Sequence, residues 1–257
     1  MSYSTVSRDA VVGIALLGAT FAAGVYVGKR YYLFRKKKAQ KIFEAPDDPR
    51  RDYVLRLSLR EHPAAKKLRQ LLSGMTPHDV SSDAAQLMGN LARLIKARNV
   101  LDMGSSCGYN PLILALAMPP DGKVTASGED KETFQHAKEH WKEAGVEHKI
   151  DLLLKPAGQT LDDLLSAGAA GQFDLIFIDM TDERDCKARY EKCLRLVRSG
   201  GILALDGALA YGAVLGAGRG AAAEPAVHQL NEAILRDARV ALSLLPLADG
   251  LTLCFKL

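Results

Sequence analysis

Four short stretches of this 257-residue chain hold residue types that do chemistry. The first is NVLDMGSSCGYN, residues 99–110, where a β-rich run enters a glycine turn and then a helix. Gly104 and Gly108 let backbone come close to a ligand, and a helix N-terminus offers N–H groups without intrahelical partners. The spacing is not G-x-G-x-x-G, which disfavours a dinucleotide pyrophosphate. A single-glycine turn with Asp102 two residues earlier suits a nucleoside carrying an amino-acid arm; a turn needed only for packing is the alternative. The second stretch, SGEDK (127–131), places Glu129 and Asp130 where an acid accepts ribose hydroxyls, or where a solvated turn acid simply sits. The third, FIDMTDERD, ends an apolar run at Asp179, and the fourth, LALDG, ends the next one at Asp206. Two carboxylates on adjacent strand ends can share one hard, oxygen-preferring cation such as Mg²⁺. Asp182, Glu183 and Asp185 crowd the same turn and are available as helix caps.

The elements that must position these residues alternate in hydrophobic period. Leu87, Leu91, Leu94 and Ile95 recur at helical spacing behind Ser81, Ser82 and Asp83 as N-cap candidates. NVLDM is a strand, PLILALAM a helix stopped by Pro119 and Pro120, and KVTAS a second strand. ETFQHAKEHWKEAG is a helix closed by Gly145, KIDLLLK a third strand and TLDDLLSAG a helix. FDLIFID is apolar throughout, as a parallel strand covered on both faces should be. DCKARYEKCLRLVRSGG, ILALD and AVHQLNEAILRD continue as helix, strand and helix. ARVALSLLPL and GLTLCFKL close the chain as two strands joined at Asp249-Gly250, so the last is antiparallel to its neighbour. Five alternations imply a parallel sheet with helices on both faces, whose ligands bind outside the carboxyl ends of the strands. The Gly/Ala-rich stretch 207–224 reads as a flexible loop at the mouth of such a site. His136 and His140 lie on an otherwise charged helix and read as an exposed face; His62 reads as structural or a helix-entry residue. There is no G-x-S-x-G for a hydrolase.

Composition excludes other classes. Hydrophobic residues make up 48% and charged residues 25%, which is the balance of a folded protein. The net charge of +4 is local: residues 1–44 hold eight Lys/Arg against two Asp/Glu, and residues 45–257 hold 26 against 28. The body therefore has no nucleic-acid footprint. Four cysteines without a CxxC pair point to a reducing compartment rather than a disulfide framework. Residues 1–9 read as a tail and Ala10–Gly28 as a run of 19 residues without a charge. As a helix that run would be about 28 Å long, near the hydrocarbon thickness of a bilayer. Its basic residues, Lys29, Arg30 and Arg35 to Lys38, follow it, unlike those of a signal peptide. The expectation is a single-pass transmembrane helix with the body on the cytosolic face or in the mitochondrial matrix. Residues 29–52 then serve as basic flank and linker, and 53–257 as one catalytic domain.

As a group, LDMGSSCGYNPLILALAMPPDGKV, HKIDLLLKPAGQTLDDLL, FDLIFID, YEKCLRLVRSGGILALD and LLPLADGLTLCFKL resemble the cation-dependent O-methyltransferases of the caffeoyl-CoA/catechol type. LREHPA and LPLADGLTL are the most specific fragments, and the resemblance covers roughly residues 53–257. It implies an α/β class I fold, Rossmann-like, with a seven-stranded sheet whose last strand is antiparallel. It implies S-adenosylmethionine as methyl donor, a small phenolic or catechol-like acceptor, and a metal, Mg²⁺, that acts as Lewis acid and template. By position, Asp102, Gly104, Gly108 and Asn110, with Ser105 and Ser106 in the same turn, belong to the methionine side of the cofactor site. Glu129 takes the ribose and Ala157, in KPAG, lies beside the adenine. Asp179 and Asp206 belong to the metal, Asp179 being catalytic through it. A homodimer is common in the family.

The chain departs from the family pattern at several points. Gly128 stands where the family usually has an acid, which shifts the ribose contact to Glu129. The sequence Asp179-Met180-Thr181-Asp182 lacks the lysine that assists deprotonation, with Lys187 nearby in sequence. Asp206 is followed by Gly207 rather than Asn, and an aromatic-rich substrate segment is reduced to ALAYGAV, leaving Tyr211. Two readings follow: a membrane-tethered, metal-assisted O-methyltransferase, or a catalytically weak relative acting as an anchored binding module. A nicotinamide-dependent dehydrogenase is disfavoured by the glycine spacing.

Overall fold

The computed structural model describes residues 49–73, 75, 80–103, 107–180, 185–216 and 225–257. Helix α1 (Pro49–Ser58) begins inside the stretch read as linker. Helix α2 (Pro63–Leu72) starts at the LREHPA segment. His62 is its N-cap, with extended backbone and a ring Nδ1 that accepts from the Ala64 N–H at 3.2 Å, and Pro63 is pre-set for the first turn. Ala64, Ala65, Leu68 and Leu72 form its buried face. Helix α3 (Ser82–Leu94) buries Ala84, Ala85, Met88 and Ala92.

From there strand and helix alternate: β1 (Asn99–Met103), α4 (Tyr109–Ala117), β2 (Lys123–Ser127), α5 (Lys131–Glu143), β3 (Ile150–Leu153), α6 (Ala157–Ser166), β4 (Phe173–Asp179), α7 (Cys186–Leu196) and β5 (Val197–Asp206). A 3-10 turn (Ala210–Gly216), α8 (Ala226–Leu235), β6 (Val240–Leu245) and β7 (Leu251–Lys256) complete the described chain. The seven strands form one sheet in the order β3-β2-β1-β4-β5-β7-β6. β1 to β5 are mutually parallel, and β7 runs antiparallel to both β5 and β6. The order reverses between β1 and β4, so the ligand crevice of an open sheet falls at their carboxyl ends. One core, with Tyr109, Phe134 and Trp141, fills one face; the other, with Leu161, Tyr190 and Leu194, fills the opposite one. β4 is buried at Phe173 and from Leu175 to Ile178, which is why its sequence shows no alternation.

A buried lysine closes one end of the first core. Lys149 is 8% exposed, and its Nζ donates to the Ala115 and Met118 carbonyls at 3.1 and 3.0 Å, capping the end of α4. Burial holds its pKa below the ordinary lysine value. Lys149→Met is expected to strand both carbonyls and cost about 1–3 kcal/mol, read as a lower denaturation midpoint with unchanged slope.

Two expectations need correcting or placing. The transmembrane helix expected over 10–28 lies outside the described residues, and among those residues no helix is long and apolar enough to cross a membrane. The longest, α3 and α5, have 13 residues, about 20 Å against the roughly 30 Å of a hydrocarbon core. The membrane anchor, the single-pass membrane localisation and the membrane as partner rest on that stretch alone, find no support among the described residues, and are not carried further. The 207–224 stretch is not wholly irregular, since 210–216 winds into the 3-10 turn.

Candidate active site

The carboxyl ends of β1, β2, β4 and β5 lie side by side. Met103 pairs with Ser127 of β2 and Ile178 of β4, and Asp179 pairs directly with Asp206. Asp102, one residue from the end of β1, is fully buried. Gly104, Ser105 and Ser106 lie outside the described residues. The chain re-enters at Cys107 and Gly108, and α4 follows at once.

Gly108 is fixed by α5. Its φ is +70°, and a Cβ there would lie 2.4 Å from the Ala137 Cβ and 3.0 Å from the Trp141 ring. Trp141 Nε1 donates to the Gly108 carbonyl at 2.9 Å. Gly108 is the N-cap of α4 and supplies no side-chain cap, so the first-turn N–H groups of this helix are left without a partner from the cap residue, the arrangement that suits an anionic group. Asn110 lies half-buried in that turn. Cys107 sits close enough to Asp102 and Asp179 that burial first, then their charges, push its thiol up to about 12, so it is not a nucleophile at neutral pH.

The end of β2 is shaped by the same helix. Phe134 packs under Gly128, where a Cβ would lie 2.6 Å from the ring. An acid at 128 would have to displace that ring, which gives a packing reason for its loss. Asp130 is committed as the N-cap of α5: it accepts from the Glu132 and Thr133 N–H groups at 3.1 Å and the Thr133 hydroxyl at 2.5 Å. These bonds, the Thr133 hydroxyl first, hold its carboxyl below the usual range. Glu129 is left exposed at the strand end. Ala157 opens α6, half-buried, and Ser127 ties β2 to this helix through the Thr160 hydroxyl (2.8 Å) and to the segment before it through the Lys155 carbonyl (3.1 Å).

At the other end of the crevice, burial, and then the charge of Asp179, push the carboxyl of Asp206 up to about 7, with Asp249 and Asp83 adding smaller repulsions. The Gly207 N–H partly offsets this by donating to Asp206 Oδ1 at 3.0 Å. Sequence reasoning did not foresee Asp83 and Asp249 here, because both reach the site from outside the parallel strands. Lys187 is exposed in the first turn of α7.

The donor set does not fit a divalent metal. Mg²⁺ demands a near-octahedral oxygen shell. The pair Asp179–Asp206 is present, but the next residue, Gly207, offers an N–H donor where an oxygen ligand is needed. Among the described residues, no group of three or more His, Cys, Asp or Glu converges to hold an ion. The expected Mg²⁺ shared by Asp179 and Asp206, and the metal assistance it implied, are corrected accordingly.

A sheet ordered 3-2-1-4-5-7-6 with β7 reversed, and a glycine turn beside its switch point, defines a class I methyltransferase. Residues 56–257 match the O-methyltransferase family. The chain is 46% identical over 248 residues to mouse catechol O-methyltransferase domain-containing protein 1, covering 96% of this chain and 94% of that one. It is 33% identical to the caffeoyl-CoA O-methyltransferase of Medicago sativa, covering 79% and 86%. Among solved structures, the Streptomyces achromogenes O-methyltransferase TomG, in complex with SAM, superposes with a TM-score of 0.71 at 27% identity, covering 84% and 98%. This chain therefore belongs to the O-methyltransferase family, and its activity is S-adenosylmethionine-dependent O-methyl transfer.

Proposed function

We propose that the chain methylates a hydroxyl of a small phenolic, catechol-like acceptor. The observation that carries this reading is the in-register pair Asp179 and Asp206, set at the strand ends beside the first turn of α4. S-adenosylmethionine, when bound, supplies an electrophilic methyl on a positively charged sulfur. Asp102 and the α4 N-terminus, with Gly108 and Asn110, are the groups that fit its methionine end, a buried carboxylate for a cation and helix N-terminal N–H donors for a carboxylate; Gly104, Ser105 and Ser106 are assigned there by sequence position alone. Ala157 borders the adenine, and Glu129 is the acid left for the ribose. Asp179 and Asp206 align the acceptor oxygen by accepting its hydroxyl hydrogen bond, and one carboxylate of the pair takes up the single proton released on attack. The catechol and caffeoyl-CoA names of the relatives support a phenolic oxygen as acceptor.

The test is incubation of the full chain with S-adenosylmethionine and a panel of catechols and simple phenols, with methylated product read by mass. Calorimetry with S-adenosylhomocysteine runs beside it. Product from at least one catechol, with saturable binding, is expected. Binding without turnover on any phenol overturns the acceptor class; absence of binding overturns the cofactor assignment.

A further inference from the structure

The LREHPA segment enters the site through a residue that none of the assigned roles uses. Tyr109, the first residue of α4, is fully buried. Its hydroxyl donates to Glu61 Oε1 at 2.7 Å. The Glu61 side chain is only 7% exposed and is gripped by the Arg69 fork, Nε to Oε1 at 2.7 Å and a terminal nitrogen to Oε2 at 2.6 Å. Burial opposes the charge on Glu61, but Arg69 and Tyr109 overcome it and leave the carboxyl below its ordinary range. The group is therefore ionised at neutral pH.

Position makes this more than a packing contact. Tyr109 lies between Gly108, whose carbonyl is held by Trp141, and Asn110 in the first turn of α4. The residue is thus tied at both ends, backbone to Gly108 and phenol to the start of α2. A largely buried, charge-assisted bond fixes a ring more sharply than apolar packing of the same volume, because any other rotamer strands a buried hydroxyl.

We propose that Glu61 and Arg69 are positioning residues that act through Tyr109 to hold Gly108 and the α4 N-terminus in the shape that receives the donor's methionine end. The proposal rests on the cofactor assignment above. Its consequence is that the clamp acts on donor affinity and leaves the chemical step alone. In Tyr109→Phe, which deletes one oxygen, the dissociation constant for S-adenosylhomocysteine should rise about tenfold, the usual scale for a lost charge-assisted bond. The donor KM should rise with it while kcat stays within about twofold. Glu61→Gln keeps the shape, loses the charge and should show the same split; Arg69→Lys keeps the charge, loses the fork and should fall between it and wild type.

Calorimetry on the full chain, with thermal melts of each variant, separates the outcomes. Lys67→Met removes the exposed 2.5 Å pair to Glu143 that also joins α2 to α5, and serves as control with donor affinity unchanged. A Tyr109→Phe protein that melts lower but binds S-adenosylhomocysteine as wild type does reduces the triad to a structural contact and overturns the clamp alone. A wild-type protein that fails to bind overturns the cofactor assignment, and the clamp with it. Should Glu61→Gln fail to fold, Tyr109→Phe still decides.

Discussion

Gly108→Ala is expected to destabilise the protein by about 2–5 kcal/mol and to abolish donor binding in whatever fraction remains folded. Two independent costs add. The backbone sits at φ +70°, where an L side chain pays about 1–2 kcal/mol. The new methyl would also lie 2.4 Å from the Ala137 Cβ, an atom fixed to the α5 backbone, and 3.0 Å from the Trp141 ring, which is held by its bond to the Gly108 carbonyl. Neither neighbour can swing away, so α4 or α5 must shift, and overpacking of this kind costs about 1–3 kcal/mol. Gly145 is the control: its φ is also +70°, but nothing lies within 4 Å of an added Cβ. Gly145→Ala should therefore lose about 1–2 kcal/mol only. Urea denaturation of the two variants measures the difference, and equal losses would remove the α5 contact from the account.

Hydrophobic periodicity revealed the sheet because it rewards local regularity. FDLIFID and LTLCFK read as buried strands without reference to the rest of the chain, and Gly145 closes α5 as its type predicts. The strand order was not legible, because it is set by pairings between segments far apart in the chain. Placement was legible where a residue lies at or next to a strand end, as with Asp102, Asp179 and Asp206. It was illegible where two distant segments meet: Glu61 and Tyr109 are 48 positions apart, and nothing in either stretch reveals their bond. Asp130 shows the converse, since its spacing to Thr133 is that of a helix cap and the structure uses it as one. The Mg²⁺ expectation failed at one residue, because a carboxylate pair suggests a metal whether or not a third oxygen follows. Gly128 makes the related point that an absent acid has a packing cause, which is visible only when Phe134 is in place.

Asp206→Asn is expected to move activity and stability in opposite directions. Loss of a proton acceptor at the acceptor hydroxyl should lower kcat by about 10²-fold or more. The fold, however, gains. Burial and the facing charge of Asp179 raise the Asp206 carboxyl to about 7, so the native state holds this proton to a higher pH than the unfolded chain does. Linkage then fixes the sign: stability falls as pH rises from about 4, where a free aspartate ionises, to about 7, and is flat beyond. Asparagine has no proton to lose, and its Oδ1 can still accept from the Gly207 N–H. The variant should melt near the wild-type temperature at pH 4.5 and clearly above it at pH 8, while product formation at pH 8 collapses. Asp179→Asn should shrink the same gap by removing the repelling charge. A melting difference that does not change with pH would mean that the two carboxylates do not sense each other, and that the paired strand ends are not one site.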